Sequence, residues 1–330
     1  MPPGAQLPVA LDAMGGDRAP AEIVAGARAA LDEFGVDVVL VGPPDLVGDT
    51  LGLPLVACTE VIAMDEDPAQ AVRRKKDSSI VRAAELVRDG KASAAVSAGN
   101  TGAVMAAALL RMGRLKGVVR PCIATPLPRP GTVPVLLCDA GANAECTSEM
   151  LVQFAQMASA HATSRYGVAT PLVGLLSIGE EPTKGTPLVK ETHAKLADPK
   201  SGVNFYGNVE GRDLIESPVD VIVTDGFTGN VALKTLEGAL KFMFATLTKV
   251  ISTDDATRAA GDVLLAHLLP VAGDLDPDTH GGAILLGVDG VSVISHGSSS
   301  ARAIKNAVQV AHDLAAGGVV DALRAAIHHS

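Results

Sequence analysis

The sequence is poor in aromatic residues, which make up 2% of the chain and include no Trp. Hydrophobic residues nevertheless account for 48% of it, so the core must be built from Val, Leu, Ile and Ala. No segment approaches the roughly 20 consecutive apolar residues that a membrane-spanning helix needs. These features argue against a chain of transmembrane helices and predict a folded domain with an aliphatic core.

The sequence also has few cysteines and carries no net positive charge. The four cysteines lack CxxC spacing, so no zinc site is predicted and reduced thiols in the cytoplasm fit best. Residues 1–11 have no basic segment of the kind that opens a signal peptide. The formal net charge of −10 argues against nucleic acid as the main partner. We therefore expect a cytoplasmic protein without a metal centre.

Several nucleotide and nucleophile motifs are missing. There is no GxGxxG for a dinucleotide and no GxSxG nucleophile elbow. Residues 179–185 (GEEPTKG) look like a phosphate loop, but the order Lys-Gly differs from the Gly-Lys-Ser/Thr of a Walker A site. His193 and Asp198 have the HxxxxD spacing of glycerolipid acyltransferases, which we interpret as a chance match on a charged helix. No cofactor is predicted.

Residues 219–240 form the stretch around which the chain is organised. A β-branched run over 219–224 predicts a buried strand, and residues 225–230 (DGFTGN) predict a turn. Leu233, Leu236 and Leu240 then follow helical spacing, with Asn230 as the expected N-cap. A Gly-rich turn that leads into a helix beyond a strand's carboxyl end is a typical anion-binding site.

The same strand, Gly/Asn loop and helix pattern occurs in residues 94–110 and 135–158. Their loops read SAGNTG at 97–102 and DAGAN at 139–143. Three such units predict one parallel sheet whose loops converge on an anion of the size of phosphate.

Other segments show weaker patterns. Residues 111–130 are basic, rich in proline and predicted to be a loop. We predict a single domain over 1–330, with a helical excursion at about 236–275. Further predicted strands are 8–12, 36–41, 171–178, 203–207 and one within 281–300; predicted helices are 20–34, 80–89, 187–196 and 301–316.

Seven motifs taken together resemble the phosphate acyltransferase (PlsX) family of bacterial phospholipid synthesis. The similarity runs from about residue 8 to the final helix, and the motifs stand in the family's order. They are DAMGGD at 12–17, RKKDSS at 74–79, SAGNTG at 97–102, DAGAN at 139–143, GEEPTKG at 179–185, GNVEG at 207–211 and DGFTGN at 225–230. One departure is Ile294, where the family would lead us to expect a basic residue.

The resemblance implies an α/β/α sandwich with a mainly parallel, Rossmann-like sheet, akin to phosphotransacetylases and isocitrate-type dehydrogenases. It implies that a long-chain acyl group passes from acyl carrier protein (ACP) to orthophosphate, giving acyl phosphate and free carrier. It also implies a homodimer, peripheral attachment to the membrane, and a membrane glycerol-3-phosphate acyltransferase that uses the product. No cofactor is implied.

Lys184 is the leading candidate to neutralise phosphate or the oxyanion, because its Gly-flanked loop allows close backbone approach. The alternative is a surface lysine paired with Glu180 or Glu181. Asn230, Asn100 and Asn143 are candidate anion donors, each of which is otherwise a cap or turn residue. Whether these residues bind substrate stays open at this point.

The other candidates come from the same loops. Asp17, Asp139 and Asp225 either orient Lys184, act as acid or base, or cap their own loops. Ser97 and Thr101 can bind phosphate through their hydroxyls. His296 is a candidate to protonate the leaving thiolate, with a structural hydrogen bond as the alternative. The remaining candidate substrate-binding residues are Gly16, Gly99, Asn208, Glu210 and Gly229.

Two surfaces are candidates for partners. Basic residues at 73–76 and from Arg111 to Arg129 can dock acidic ACP, unless they form a solvated face or internal salt bridges. Apolar residues within 236–251 and 263–269 can touch a membrane reversibly, unless they belong to the core or a dimer interface. Two other functions stay open: a dehydrogenase of the same broad fold, and a non-catalytic scaffold for lipid-synthesis enzymes.

Overall fold

A computed structural model describes residues 7–328, and within that range eleven strands form one sheet with helices on both faces. Residues 1–6 and 329–330 lie outside the described residues, as do the beginning of the 1–11 segment and both ends of the predicted 1–330 domain. The predicted α/β fold with a mainly parallel sheet is confirmed.

The elements follow in chain order. The strands are β1 Val9–Asp12, β2 Val38–Gly42, β3 Leu55–Ala57, β4 Ala94–Ser97, β5 Cys122–Leu127, β6 Val135–Cys138, β7 Leu172–Leu176, β8 Asn204–Val209, β9 Val221–Val223, β10 Ala283–Leu286 and β11 Val291–Ile294. The helices are α1 Ala21–Phe34, α2 Pro44–Val47, α3 Pro68–Arg74, α4 Ser79–Arg88, α5 Thr101–Arg111, α6 Ser148–Tyr166, α7 Pro187–Ala197, α8 Gly226–Ile251, α9 Asp255–Leu275, α10 Pro277–His280, α11 Ala301–Ala316 and α12 Val319–His328.

The sheet consists of two parallel blocks that run in opposite directions. Its strand order is β3-β2-β1-β4-β11-β10-β5-β6-β9-β7-β8. Pairing is parallel except where β10 pairs with β11 and with β5, and where β5 pairs with β6. Because of these three antiparallel pairings, the block of β3, β2, β1, β4 and β11 runs in the direction opposite to the block of β6, β9, β7 and β8.

The prediction that the three Gly/Asn units share one parallel arrangement was therefore wrong. β4 belongs to the first block, whereas β6 and β9 belong to the second and run in the opposite direction, although residues of all three loops line one cavity. The strand that helps to reverse the direction is β5, which lies within residues 111–130 and was predicted as part of a loop. Pro126 and Pro128 hid this strand, since proline is a poor donor to a sheet.

Aliphatic side chains fill the space on both faces of the sheet, as the composition predicted. Val9 and Leu11 of β1 pack into one buried cluster, and Ala10 between them packs into another on the opposite face. Phe154 is the largest of the fully buried side chains among the described residues. Complete burial of one such Leu or Phe contributes about 1.5–3 kcal/mol.

Helices α8 and α9 cover the segment at about 236–275, and α8 begins at Gly226, a few residues before the start that Asn230 as N-cap predicted. Gly261 of α9 lies against Ile251 of α8, next to the turn that joins them. Many apolar side chains of the pair are exposed, Phe242 by 75% and Val263 by 68%. No helix within residues 7–328 is long and apolar enough to cross a membrane.

Candidate active site

A cavity of about 410 Å³ lies between the antiparallel centre of the sheet and helix α8. Ile123, Thr125, Pro126 and Leu127 of β5 contribute to its lining. Much of the wall is apolar. Its aliphatic lining includes Ile123, Leu127, Leu233, Leu236, Leu240, Leu275 and Ile294.

Three ionisable side chains meet within this apolar wall. Nζ of Lys234 lies 2.7 Å from Nε2 of His296 and 2.8 Å from Oε2 of Glu237. The Glu237 side chain is only 15% exposed. His296 was predicted as a candidate, but Lys234 and Glu237 were missed. The available signal was their i, i+3 spacing on the helix that follows the organising loop.

The hydrogen bonds assign the state of His296. A charged Lys234 donates to Nε2, so the ring proton lies on Nδ1, which stands 3.2 Å from Oγ of Ser298. Burial lowers the pKa of His296, and the Lys234 charge lowers it further, against the opposing charge of Glu237. His296 therefore holds a proton less readily than an ordinary histidine.

The first Gly-rich loop supports the His296 segment. The backbone N–H of Asp17 donates to the Gly297 carbonyl at 2.8 Å. Gly16 has φ of 105°, a conformation that favours glycine, and a Cβ there would stand 3.0 Å from the Gly297 oxygen. Gly16 and Asp17 therefore position the loop that carries His296, whereas neither lines the cavity.

Ser97 and Asn100 are used by the fold. The Ser97 hydroxyl donates to buried Asp12 at 2.6 Å and accepts from Gly99 N–H at 3.0 Å. Asn100 caps α5 by accepting from Ala103 N–H, and its amide donates to the carbonyls of residues 64 and 66. Gly99 and Thr101, their neighbours, line the cavity. This loop therefore presents its backbone groups and the Thr101 hydroxyl to the cavity.

Asp139 holds the loop at residues 139–143 by hydrogen bonds that its buried carboxylate accepts. It is fully buried and accepts from four backbone N–H groups, those of Ile123, Gly141, Ala142 and Asn143. Burial raises the pKa of its carboxyl, which these hydrogen bonds oppose.

The Asn143 amide is also committed, since it donates to the Pro121 carbonyl at 2.8 Å and to Asp139 at 2.9 Å. Asp139 and Asn143 thus hold the loop, while Ala140 and Gly141 face the cavity.

The N-terminus of α8 corrects one prediction. The helix begins at Gly226 with Asp225 as its N-cap, accepting from Thr228 N–H at 2.8 Å. Asn230 is therefore not the cap. It stands inside the helix, exposed, beside Gly141 and at the cavity wall. A Cβ on Gly229 would stand 1.9 Å from the Asp139 carbonyl oxygen, so only glycine allows this packing of helix on loop.

Lys184 lies outside the cavity lining. It is exposed in the loop after β7, at the same sheet edge as the loops after β6 and β9. Asn208 is buried and donates to the Glu181 carbonyl of that loop at 2.8 Å. Arg212 bridges Glu180 and Glu210 at 3.1 and 3.2 Å. Asn208 and Glu210 thus shape the Lys184 loop.

The two basic segments divide into internal and exposed residues. Lys75 pairs with Glu66 at 2.5 Å, and Arg129 donates to the carbonyls of residues 217 and 219. Arg114 donates to the carbonyls of residues 118 and 119. The exposed basic residues are Arg73, Arg74, Lys76, Arg114, Lys116 and Arg120, of which Arg114 is engaged by backbone carbonyls.

Solved structures with a similar fold include a phosphotransacetylase from Streptococcus pyogenes, with a TM-score of 0.61, 16% identity and 95% of each chain covered. A 4-hydroxythreonine-4-phosphate dehydrogenase from Klebsiella pneumoniae gives a TM-score of 0.54 at 13% identity, covering 94% of this chain and 100% of that one. At these identities the similarity concerns the fold alone.

Sequence comparison is more specific. The model of a family described as "Fatty acid synthesis protein" matches residues 7–322. A phosphate acyltransferase from Elusimicrobium minutum is 47% identical over 325 residues, covering 96% of this chain and 94% of that protein. One from Heliobacterium modesticaldum is 50% identical over 313 residues, covering 92% of each. The chain therefore belongs to the phosphate acyltransferase (PlsX) family.

Proposed function

We propose that this protein transfers a long-chain acyl group from acyl-ACP to orthophosphate, producing acyl phosphate for phospholipid synthesis. The observation that carries the proposal is the cavity, whose lining combines many aliphatic side chains with Lys234, His296 and the Gly-rich loops. An acyl thioester has the same combination, with an apolar chain and a polar reacting end. Family membership supports the same reaction.

The acyl chain would lie along Leu233, Leu236 and Leu240, with the thioester carbonyl beside Lys234 and His296. Phosphate would bind there, against the first turn of α5 and the backbone at Gly99 and Gly141. Phosphate is already a nucleophile at neutral pH, so the protein's tasks are to position it and to stabilise the tetrahedral oxyanion.

Asn230 and Lys184 would complete the phosphate end. Asn230 stands at the cavity wall, where its amide can donate to an anionic oxygen. Lys184 is exposed at the same sheet edge and would draw phosphate in by its charge. Asp139, Asp225, Asn143 and Asn208 act through the loops they hold.

The partners follow from the chemistry of the substrates and product. Acidic ACP would dock on exposed basic side chains around Lys116 and Arg120 or around Arg73 and Arg74. The exposed apolar face of α8 and α9 would serve a homodimer interface and a reversible membrane contact. From there a cytoplasmic, peripherally attached enzyme would pass acyl phosphate to a membrane glycerol-3-phosphate acyltransferase.

Incubation of the purified protein with palmitoyl-ACP and ³²P-labelled phosphate tests the proposal. We expect label in a lipid that hydroxylamine converts to palmitoyl hydroxamate, with no requirement for NAD. Label that stays in inorganic phosphate while palmitoyl-ACP is intact would refute the proposed reaction.

A further inference from the structure

Lys234, Glu237 and His296 form a unit that the sequence pattern did not reveal. Lys234 and Glu237 are one helical turn apart on α8, and His296 reaches them from a loop 62 positions away. An i, i+3 ion pair on a helix is ordinarily a surface feature worth a few tenths of a kcal/mol. This pair also lines the cavity, next to Leu233, Leu236 and Leu240, and the side chain of Glu237 is only 15% exposed while that of Lys234 is 47% exposed.

We propose that Lys234 supplies the positive charge at the reacting atoms, that His296 carries the proton between phosphate and sulfur, and that Glu237 positions Lys234. The proposal rests on the proposed acyl transfer to phosphate. It assigns Lys234 and His296 as catalytic residues and Glu237 as a positioning residue.

The reaction balances with one internal proton transfer. An oxygen of hydrogenphosphate attacks the thioester carbon, and the C–O bond forms as the carbonyl becomes an oxyanion. The C–S bond then breaks, which yields acyl phosphate and a thiolate. The proton of hydrogenphosphate passes to neutral His296 and from there to sulfur, giving the free thiol. No outside acid, base or oxidant is needed.

Lys234 is well placed for the charge that this step develops. It is the one Lys or Arg that lines the cavity within residues 7–328. Its contact with Nε2 of His296 puts the ammonium and the proton carrier on the same side of a bound substrate. When substrate enters, the ammonium can turn from Nε2 to an anionic oxygen and free that nitrogen to take the proton.

Glu237 contacts Lys234 at 2.8 Å and lies 3.8 Å from His296, so it faces both catalytic groups. The charged groups around His296 are Lys234, Glu237 and Lys241 of α8 and Asp278 of α10. Lysine charges lower the pKa of His296, and the carboxylates raise it. Removing Glu237's charge should therefore lower the pKa of His296 and shift the acid limb of the rate profile to lower pH.

The test compares Lys234→Met, His296→Gln and Glu237→Gln with Lys249→Met, the same lysine change on the same helix outside the cavity. We expect Lys234→Met and His296→Gln each to lower kcat about 10²–10³-fold, the scale of a lost oxyanion donor, and Lys249→Met to stay within twofold. Near-isosteric Glu237→Gln should lower kcat about tenfold and move the acid limb of kcat/KM to lower pH, while the KM for palmitoyl-ACP stays constant.

Circular dichroism and thermal melts identify any variant that fails to fold, and His296→Gln with Glu237→Gln then decide the outcome. Wild-type rates in Lys234→Met or His296→Gln would overturn the inference, as would an unshifted acid limb in Glu237→Gln. If the Lys234, His296 and Glu237 variants lose activity while the wild-type protein is active, the inference stands. If the wild-type protein itself makes no acyl phosphate, the proposed function fails as well. Activity in all proteins would reject the relay while leaving the proposed function intact.

Discussion

Asp225 and Asn230 divide two tasks at the start of α8 that the sequence had assigned to one residue. Asp225 closes the helix by accepting from Thr228 N–H at 2.8 Å, whereas Asn230 stands four positions into the helix at the cavity wall. Capping and substrate contact are thus separable by mutation.

Asp225→Ala should lower stability and Asn230→Ala should lower activity. Loss of an N-cap costs about 1 kcal/mol, and alanine is at least as good a helix former as asparagine within a helix. We expect a depressed melting temperature for Asp225→Ala only. Asn230→Ala should reduce kcat by at least about tenfold through the lost anion donor. Equal activity and a lower melting temperature for Asn230→Ala would assign it a structural role.

Lys184→Met should weaken phosphate binding more than it slows the chemical step. Lys184 is exposed at the sheet edge, where solvent screens its charge, and it is absent from the cavity lining. We expect the KM for phosphate to rise by about tenfold, in line with about 1.4 kcal/mol, and kcat to fall less than in Lys234→Met. Lys190→Met, on the neighbouring helix α7, is the control. An unchanged KM in Lys184→Met would make Lys184 a bystander.

His161 makes the stability of the fold depend on pH. Burial lowers its pKa to about 4, and the charge of Arg165 adds to this effect. Below about pH 6.5, His161 binds a proton in the unfolded chain but stays unprotonated in the folded protein. The contribution of His161 to stability therefore falls progressively between about pH 6.5 and 4.

The free energy of unfolding in urea, measured at pH 7.5 and 5.5, tests this prediction. The contribution of His161 should fall by about 1 kcal/mol over that interval, and His161→Leu should remove that part of the pH dependence. His267→Leu, a change at an exposed histidine, should retain it. If His161→Leu and the wild-type protein lose equal stability, His161 titrates normally in the folded state.

Much of the fold followed from local patterns. The helices at 20–34 and 187–196 and the strand–loop–helix units were recognisable because their periodicity and loop residues agree. The reversal of strand direction within the sheet was not recognisable from the sequence, because it depends on the strands with which β5 and β10 pair in the folded chain.

The site shows the same division. The motifs of their own loops made His296 and Asn230 candidates, and both line the cavity. Lys234 was hidden because an i, i+3 Lys–Glu pair has the pattern of an ordinary solvated helix face. Only the packing of α8 over the sheet turns that face into a cavity wall.

Charge reversal at Lys116 and Arg120 should weaken the use of acyl-ACP. Both side chains are exposed, whereas Arg114 nearby is bound to backbone carbonyls. With Lys116→Glu and Arg120→Glu together, we expect a higher KM for palmitoyl-ACP and a flatter dependence on salt. The matched variant is Arg73→Glu with Arg74→Glu. If only the latter pair changes the KM, the carrier docks at residues 73–76.

Leu264→Glu with Leu268→Glu should abolish flotation with liposomes of anionic phospholipid while turnover of soluble palmitoyl-ACP survives. These leucines are 55% and 39% exposed, and burial of each contributes about 1.5–3 kcal/mol to a membrane contact. Leu46→Glu, at an exposed leucine of α2, is the control. If sedimentation shows that the double variant becomes monomeric or aggregates, the leucines belong to a subunit interface.

The proposed reaction is acyl transfer from a carrier thioester to phosphate. Its most direct test is ³¹P NMR of wild-type protein with palmitoyl-ACP and phosphate, combined with titration of the released carrier thiol. We predict a new acyl phosphate resonance and one free thiol for each acyl phosphate formed. Release of thiol together with palmitate, and with no new phosphorus resonance, would make the protein a thioesterase and contradict the proposed reaction.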